Sequence, residues 1–151
     1  MACEISARYF RVKLLERARS MGFELINVIH PEAYVAPSVK MGQGNFIKAG
    51  AVIATNTVIG NCCIIDNGAV VAHDNQIEDG CHIAPGVSMG SSIHIGRLTL
   101  IGIGATIETG VKIGRSVVVD TGAVVTKDVP DMMRVKAPES EIVKNRSFGG
   151  S

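Results

Sequence analysis

The stretch IIDNGAVVAHDNQIEDGCHIAPG, which runs from Ile64 to Gly86, shows the pattern that decides the fold. Within it every sixth residue is aliphatic, and the same phase continues in both directions along the chain without a slip. An uninterrupted period of this kind indicates a repeat architecture. The aliphatic positions are Ile29, Val35, Met41, Ile47, Ile53, Ile59, Ile65, Val71, Ile77, Ile83, Met89, Ile95, Ile101, Ile107, Ile113, Val119 and Val125.

The residues between the aliphatic positions follow the same period. Four residues after an aliphatic position stands a small or medium residue, such as Ala51, Cys63 or Ala105. Three residues after, Gly recurs, and Asn56, Asp74 and Asp128 fall at the same place; these residue types tolerate left-handed backbone geometry best after Gly. The pattern predicts a short strand and a tight turn, repeated, with the aliphatic and the small side chains pointing inward. The glycines in this phase are Gly44, Gly50, Gly68, Gly80, Gly86, Gly104, Gly110 and Gly122.

Three such units close a triangular coil of eighteen residues, and successive coils stack at about 4.8 Å, the spacing of neighbouring strands. We therefore predict an all-β solenoid, a parallel β-helix. One coil cannot bury its own inner face, so stacking supplies the core and both ends need caps. On this basis Cys63 and Cys81, eighteen residues apart and both inward, are expected to be small core residues rather than a disulfide.

Composition narrows the function classes. The chain has 151 residues and a formal net charge of +1, which argues against a nucleic-acid surface built on excess positive charge. Hydrophobic residues make up 46% of the sequence and aromatic residues only 4%, so the core must be aliphatic. No apolar run is long enough to span a membrane, and the N-terminus lacks a signal-peptide core. We therefore expect a cytoplasmic protein with reduced cysteines and no membrane partner.

We expect three segments along the chain. Residues 1–28 form an N-terminal cap, made of a helix over residues 5–21 and a strand that leads into the first coil. Residues 29–129 form the β-helix domain. Residues 130–151 form a C-terminal tail that leaves the repeat at Pro130. The helix is basic, which suggests either a solvated face or a surface that helps to hold an anionic substrate; its cations are Arg8, Arg11, Lys13, Arg17 and Arg19.

One outward column of side chains is apolar except for a single histidine. Residues eighteen apart stack on one face, and the residue before each inward aliphatic points outward. An apolar stripe about 25 Å long is a liability on a monomer and is better explained as a subunit interface. A closed ring with a heterologous contact fits it, so we expect a homotrimer with that histidine on the buried face. The column comprises Val28, Phe46, Ile64, His82, Leu100 and Val118.

Two histidines nine residues apart, His73 and His82, are the candidate site residues. His73 is expected at a turn and His82 half a coil further on, so they do not easily converge on one small ligand within one chain. Across a subunit contact they can. Ser91, eighteen residues after His73, is expected one coil away at about 5 Å, where a turn N–H could donate to a developing oxyanion.

The segments AHD…H, MGSSIHIG, LIGIGATI and VVTKDVP resemble those of hexapeptide-repeat transferases, in the branch of sialic acid O-acetyltransferases and UDP-4-amino-sugar N-acetyltransferases. The resemblance implies a left-handed parallel β-helix, a trimer with active sites between subunits, acetyl-CoA as cosubstrate and a sugar or sugar nucleotide as acceptor, with no metal. It also implies that most of a Rossmann-like N-terminal lobe is lacking here.

Site residues follow from the same resemblance. His73 corresponds to the general base, Asp74 to the acid that polarises it, and His82 to a residue on the acetyl-CoA side. The residues carried over for coenzyme A binding are Gly90, Ser91, Ile103, Gly104 and Thr121, with Lys127 as a phosphate contact.

Several alternatives stay open at the level of sequence. His73 could be a polar turn residue, Asp74 could be present only for left-handed geometry, and His82 could be an interface histidine without chemistry. His30 and His94 are expected to be structural or solvated. At the level of function, the alternatives are a non-catalytic trimeric scaffold and a metal-dependent hydratase of the γ-carbonic anhydrase kind. The hydratase is disfavoured because intervals of nine and twelve between successive histidines do not match its ligand spacing.

Overall fold

The computed structural model describes residues 2–143 and shows a triangular prism of stacked coils with one helix against its side. The predicted fold is confirmed: parallel strands of two residues each form three sheets of seven, six and five strands, and the solenoid matches a left-handed β-helix. Each strand pairs in register with the strand eighteen residues away, as His82 does with Ile64 and Leu100. Residues 144–151, part of the expected tail, lie outside the described residues.

From Val28 to Val125 the chain visits the three sheets in rotation, and its last strand returns to sheet 1. Sheet 1 contains β1 (Val28–Ile29), β4 (Phe46–Ile47), β7 (Ile64–Ile65), β10 (His82–Ile83), β13 (Leu100–Ile101), β16 (Val118–Val119) and β18 (Arg134–Val135). Sheet 2 contains β2 (Tyr34–Val35), β5 (Val52–Ile53), β8 (Val70–Val71), β11 (Ser88–Met89), β14 (Thr106–Ile107) and β17 (Val124–Val125). Sheet 3 contains β3 (Lys40–Met41), β6 (Val58–Ile59), β9 (Gln76–Ile77), β12 (His94–Ile95) and β15 (Lys112–Ile113).

Turns at the three edges of the prism join the sheets, and we name these corners by the sheets they connect. Corner 1–2 includes residues 84–87 and their equivalents in other coils, corner 2–3 includes residues 72–75, and corner 3–1 includes residues 78–81. At the turn position predicted to be left-handed, Asn56 and Asp74 both have a φ of 58°. Asp128 was expected to share this geometry but is not among the residues with positive φ.

The predicted core is present from the second coil onward. Every inward aliphatic from Ile47 to Val125 is at most 3% exposed, because adjacent coils stack against it. Cys63 and Cys81 lie in the same core as free thiols, as expected. At the N-terminal end Ile29 is 45% exposed, since no coil stacks beneath it.

Strand pairing continues past Pro130, into the segment expected to be tail. Arg134–Val135 forms β18 and pairs with Val118–Val119, and Val129 bridges to Ile113. The repeat therefore extends one strand beyond the last aliphatic position of the six-residue series. The division into cap, β-helix and tail stays a prediction, but its C-terminal boundary lies inside a paired region.

Helix α1 (Ala2–Ser20) packs against the side of the prism, and the cap expected over residues 1–28 stays a prediction. Its Val12 and Leu15 are buried against Cys62 and Leu98 at corner 3–1. This packing has a physical reason: Cys62 and Leu98 occupy left-handed turn positions, and the helix covers their apolar side chains. The helix thereby spans several coils, and its Arg19 reaches Gln43 in the first coil.

Candidate active site

His73 and Asp74 form a close pair on corner 2–3. Nδ1 of His73 lies 2.7 Å from Oδ2 of Asp74, and both side chains are at least half exposed. An ionised carboxylate only accepts hydrogen bonds, so the His73 Nδ1–H donates to it. This tautomer leaves the lone pair on Nε2, which has no hydrogen-bond partner among residues 2–143. Nε2 is therefore the atom of this pair that can accept a proton.

Asp74 is held in its ionised form by its neighbours. The hydrogen bond from His73, together with one from the Asn56 side chain, holds the pKa of Asp74 below its usual range. Asp74 therefore combines the left-handed turn geometry with a contact to His73.

The adjacent turn, Gly90–Ser92, lies one coil from His73 as expected, because the Ser92 N–H donates to the His73 carbonyl at 3.1 Å. The expectation of a free turn N–H for an oxyanion is not met in this state. The Gly90 N–H donates to the Ile107 carbonyl, and the Ser91 N–H donates to Thr109 Oγ1 at 3.2 Å. The Ser91 N–H becomes available only if the Thr109 hydroxyl turns away.

His82 lies on sheet 1 and interacts with residues that were not predicted as site residues from the sequence. Its Nε2 is 3.2 Å from Oδ2 of Asp66, and Oδ1 of Asp66 is 3.1 Å from the Lys48 ammonium. The Asn67 N–H also donates to Asp66 Oδ1, at 2.8 Å. The Asp66 side chain is 11% exposed and that of His82 is 28% exposed.

The protonation states of this group follow from burial and charge. Burial lowers the pKa of His82, and the nearby Arg11 and Lys48 charges act in the same direction against the effect of Asp66. Burial works to raise the pKa of Asp66, but hydrogen bonds from the Asn67 N–H, His82 and Lys48 outweigh it, so that pKa lies below its usual value. At neutral pH the pair is a neutral imidazole beside a carboxylate.

A crevice of about 490 Å³ opens between helix α1 and sheet 1 beside His82. Apolar side chains and backbone form much of its wall, and two arginines of the helix face it. Arg8 donates to the Leu98 carbonyl, and Arg11 donates to the carbonyls of Cys62 and Gly80. The lining residues are Ala7, Arg8, Arg11, Asp66, His82, Ala84, Pro85, Leu100, Gly102, Ile103 and Thr121.

The residues expected to bind the cofactor fall into two separate groups in one chain. Ile103, Gly104 and Thr121 lie at corner 1–2, and two of them line the crevice beside His82. Gly90, Ser91 and Lys127 lie at corner 2–3 with His73 and Asp74. Sheet 2 separates the two corners, so one chain does not bring the expected site residues together. This is the arrangement that a site shared between neighbouring chains requires.

The other histidines are accounted for by local contacts. His30 Nδ1 accepts from the Glu32 N–H at 3.1 Å, and His94 Nε2 lies 2.8 Å from Glu78 Oε1. Among the side chains that the structure describes, those of residues 7–143, no group of three or more His, Cys, Asp or Glu is arranged to hold a metal ion. In that same part of the chain no helix is long and apolar enough to cross a membrane.

Burial also argues against Cys62 and Cys81 as nucleophiles. Burial is the main cause that raises the pKa of Cys62 and of Cys81, and both side chains are enclosed, so neither supplies a reactive thiolate.

Sequence reasoning missed Asp66 and Lys48, and it named Arg8 and Arg11 only as members of a basic helix, without their contacts to the prism. The signal for Asp66 was present, because Ile64 stacks on His82 in register and Asp66 stands two residues after Ile64. The signal for Arg8 and Arg11 was obscured, since arginines on a helix are usually solvated.

Solved structures provide close matches. The chain matches a histidine-to-asparagine mutant of perosamine N-acetyltransferase from Caulobacter crescentus, in complex with CoA and GDP-perosamine, at 38% identity and a TM-score of 0.83. It matches the acetyltransferase domain of PglB from Neisseria gonorrhoeae, in complex with acetyl coenzyme A, at 35% identity and a TM-score of 0.83. It matches WeeI from Acinetobacter baumannii at 30% identity and a TM-score of 0.79.

Each match covers 84% of this chain, and this chain spans about 60% of the length of those structures: 60% of the first, and 62% of the second and of the third. No protein-family model matches the chain, and no curated protein matches it. The structural matches and the solenoid confirm the resemblance to hexapeptide-repeat, left-handed β-helix acyltransferases.

Proposed function

We propose that this chain, a hexapeptide-repeat left-handed β-helix of the acyltransferase type, transfers the acetyl group of acetyl-CoA to an amino or hydroxyl group of a sugar or sugar nucleotide. The observation that carries this proposal is the 2.7 Å contact between His73 and Asp74 on an exposed corner. The structural matches crystallised with CoA, acetyl-CoA and GDP-perosamine support the choice of cosubstrate and acceptor class.

The pair is suited to direct transfer. The acceptor nitrogen or oxygen attacks the thioester carbon, and Nε2 of His73 takes the proton from the attacking group. The carbon–sulfur bond then breaks, and the proton passes from the imidazolium to the departing CoA sulfur. The Asp74 carboxylate stabilises the imidazolium while the proton is on the ring. No acyl-enzyme forms, so no cysteine is needed.

The active site is proposed to form between two chains of a homotrimer, with His73 from one chain and His82 from its neighbour. The separation of the expected site residues onto two corners supports this. The outward column on sheet 1 also supports it, because Val28 and Phe46 are 41% and 49% exposed in the single chain. We expect Gly90, Ser91, Ile103, Gly104, Thr121 and Lys127 to contact CoA. The described cysteines are free thiols, which suits a reducing compartment, and we propose a cytoplasmic location.

The decisive experiment combines a transfer assay with subunit mixing. Purified protein is incubated with acetyl-CoA and a panel of amino-sugar nucleotides, and thiol release is followed together with the mass of the acetylated product. We expect turnover with at least one acceptor. Saturable acetyl-CoA binding without turnover on any amino sugar or hydroxyl acceptor would favour the non-catalytic scaffold.

Mixing tests the shared site directly. His73→Ala and His82→Ala proteins, each inactive alone, are unfolded together, refolded and assayed. Shared sites restore part of the activity, because some contacts then pair an intact His73 with an intact His82. If each chain holds a complete site, the mixture stays as inactive as its parents.

A further inference from the structure

Asp66 is held in one orientation by contacts on both carboxylate oxygens. Its Oδ1 accepts from the Asn67 N–H at 2.8 Å and lies 3.1 Å from the Lys48 ammonium. Its Oδ2 faces His82 Nε2 at 3.2 Å. A buried carboxylate with both oxygens engaged has no freedom to rotate without losing charge-assisted hydrogen bonds. The side chain is therefore a rigid acceptor aimed at His82.

This arrangement selects one tautomer of His82. Because a carboxylate can only accept, the hydrogen must be on Nε2, and the neutral ring then carries its lone pair on Nδ1. Nδ1 has no hydrogen-bond partner among residues 2–143, and His82 lines the crevice between α1 and sheet 1. The charged groups around the ring are Asp66 and Lys48 on the prism, and Arg11 and Arg8 on α1. Burial and the charges of Arg11 and Lys48 oppose protonation of Nδ1.

We propose that Asp66 is a positioning residue that locks His82 in the Nε2–H tautomer, so that Nδ1 serves as a hydrogen-bond acceptor for an N–H or O–H group of the ligand in the crevice. The ligand assignment rests on the proposed function, in which that ligand is the amide-bearing arm of CoA or the acceptor. The tautomer itself does not rest on it. Leu100 and Ile103 give the crevice apolar walls that suit an extended arm with spaced amide groups.

Asp66→Asn tests whether Asp66 fixes the tautomer of His82, because the neighbouring donors determine the orientation of the new amide. The Asn67 N–H and the Lys48 ammonium both require an oxygen at the Oδ1 position. The amide NH₂ therefore falls at the Oδ2 position and donates to His82 Nε2. The ring must then carry its hydrogen on Nδ1, which converts the ligand-facing atom from an acceptor to a donor.

The primary readout is ¹⁵N NMR of the histidine side chains of the full chain. In the unmodified protein at neutral pH, His82 is expected to show a protonated Nε2 and an unprotonated Nδ1; in Asp66→Asn these assignments exchange. Lys48→Met leaves the tautomer unchanged and raises the pKa of His82, since a neighbouring cation is removed. Asp120→Asn is the matched control, because Asp120 occupies the same corner position three coils on and pairs with Arg134; it leaves the His82 signals unchanged.

Binding provides the second readout. Asp66→Asn is expected to weaken CoA binding, measured by calorimetry, by about tenfold, the equivalent of one hydrogen bond. In a His82→Gln background the same substitution adds little further loss, whereas independent structural damage would add in full. An Nδ1–H tautomer in the unmodified protein, or no exchange in a folded Asp66→Asn protein, overturns the proposal. If the unmodified protein transfers no acetyl group but Asp66→Asn still exchanges the tautomer of His82, the result counts against the proposed function and not against the role of Asp66.

Discussion

Nδ1 of His73 lies 2.7 Å from Oδ2 of Asp74, although the two residues are adjacent in the chain. The contact is possible because Asp74 has a φ of 58° and sits at the outside of corner 2–3. Both side chains project from a backbone that is fixed by strand pairing on either side. Substitutions here can therefore alter chemistry without disturbing the core.

His73→Ala is expected to lower acetyl transfer by about 10²–10⁴-fold, the usual contribution of a general base. The side chain is 57% exposed, so the thermal midpoint should fall only by the small contribution of the bond to Asp74, as in Asp74→Asn. Initial rates of thiol release at saturating acetyl-CoA provide the measurement. His94→Ala is the control, since His94 is also exposed and bonded to a carboxylate but lies on sheet 3. Equal rates in the two variants would remove His73 from the mechanism.

Asp74→Gly and Asp74→Asn separate the charge from the backbone role of this residue. Glycine and asparagine both accept a left-handed φ, so neither should unfold the corner. Both remove the carboxylate, and we expect transfer to fall by about 10–100-fold, less than for a fully buried acid because water screens this one. Undiminished transfer in Asp74→Gly would leave only the turn role.

The lowered pKa of Asp74 gives a stability signature with a defined sign. Its hydrogen bond from His73 stabilises the folded state at every pH above the unfolded-state pKa of about 3.9. The contribution is lost as pH falls through the lower folded-state pKa. Thermal midpoints of the unmodified protein and Asp74→Asn should therefore differ at pH 6 and converge in strong acid. A constant difference would mean that the charge is not its source.

Gly80→Ala is expected to loosen helix α1 from the prism. A Cβ at this position would lie 2.6 Å from Leu98 Cδ2 and 2.9 Å from Val12 Cγ2, at a φ of +70°. Strain and overpacking together should cost about 3–4 kcal/mol in the free energy of unfolding. Gly68→Ala, with a φ of +67° and nothing within 4 Å, is the control and should cost about 1–2 kcal/mol.

Hydrogen exchange distinguishes the two glycine variants further. In Gly80→Ala the amides of α1 should exchange faster than those of the strands, because docking of the helix is what the new methyl group disrupts. Equal costs and unchanged exchange in α1 would show that the helix tolerates the displacement.

Asn75→Ala is expected to destabilise the prism by about 3 kcal/mol. Asn75 is fully buried; its amide donates to the carbonyls of Ala72 and Gly90, and its oxygen accepts from the Ile93 N–H at 2.7 Å. Truncation leaves these buried groups unpaired, at about 1–3 kcal/mol each before relaxation. Chemical denaturation measures the loss, with exposed Asn67→Ala as the comparison; a cost below 1 kcal/mol would show that water replaces the amide.

The sequence was sufficient for the prism because its period is dictated by burial. Each inward position must be apolar in every coil, so seventeen positions carry the same signal. An atypical residue at one of them does not hide the period. The placement of α1 carried no such redundancy. Its apolar side chains fall on two faces, and only the structure shows that Val12 and Leu15 are buried while Phe10 is 61% exposed.

The candidate site was predictable in its exposed half and not in its buried half. His73 breaks the pattern of small turn residues, which made it visible, and the family resemblance marked Asp74 beside it. Asp66 stands at a turn, where an aspartate needs no explanation, and its pairing with His82 depends on a register across coils. The engagement of the Ser91 N–H by Thr109 depends on a side-chain rotamer, which no spacing rule specifies.

Polar side chains at the corners serve the coil beside their own. Asn45 supplies its oxygen to the Cys63 N–H, Asn75 to the Ile93 N–H, and Thr99 to the Val117 N–H, always across eighteen residues. A single inserted or deleted residue would put every later partner out of step, whereas adding or removing a whole coil would leave each pairing intact. Evolution can therefore lengthen or shorten such a molecule only by whole coils of eighteen residues.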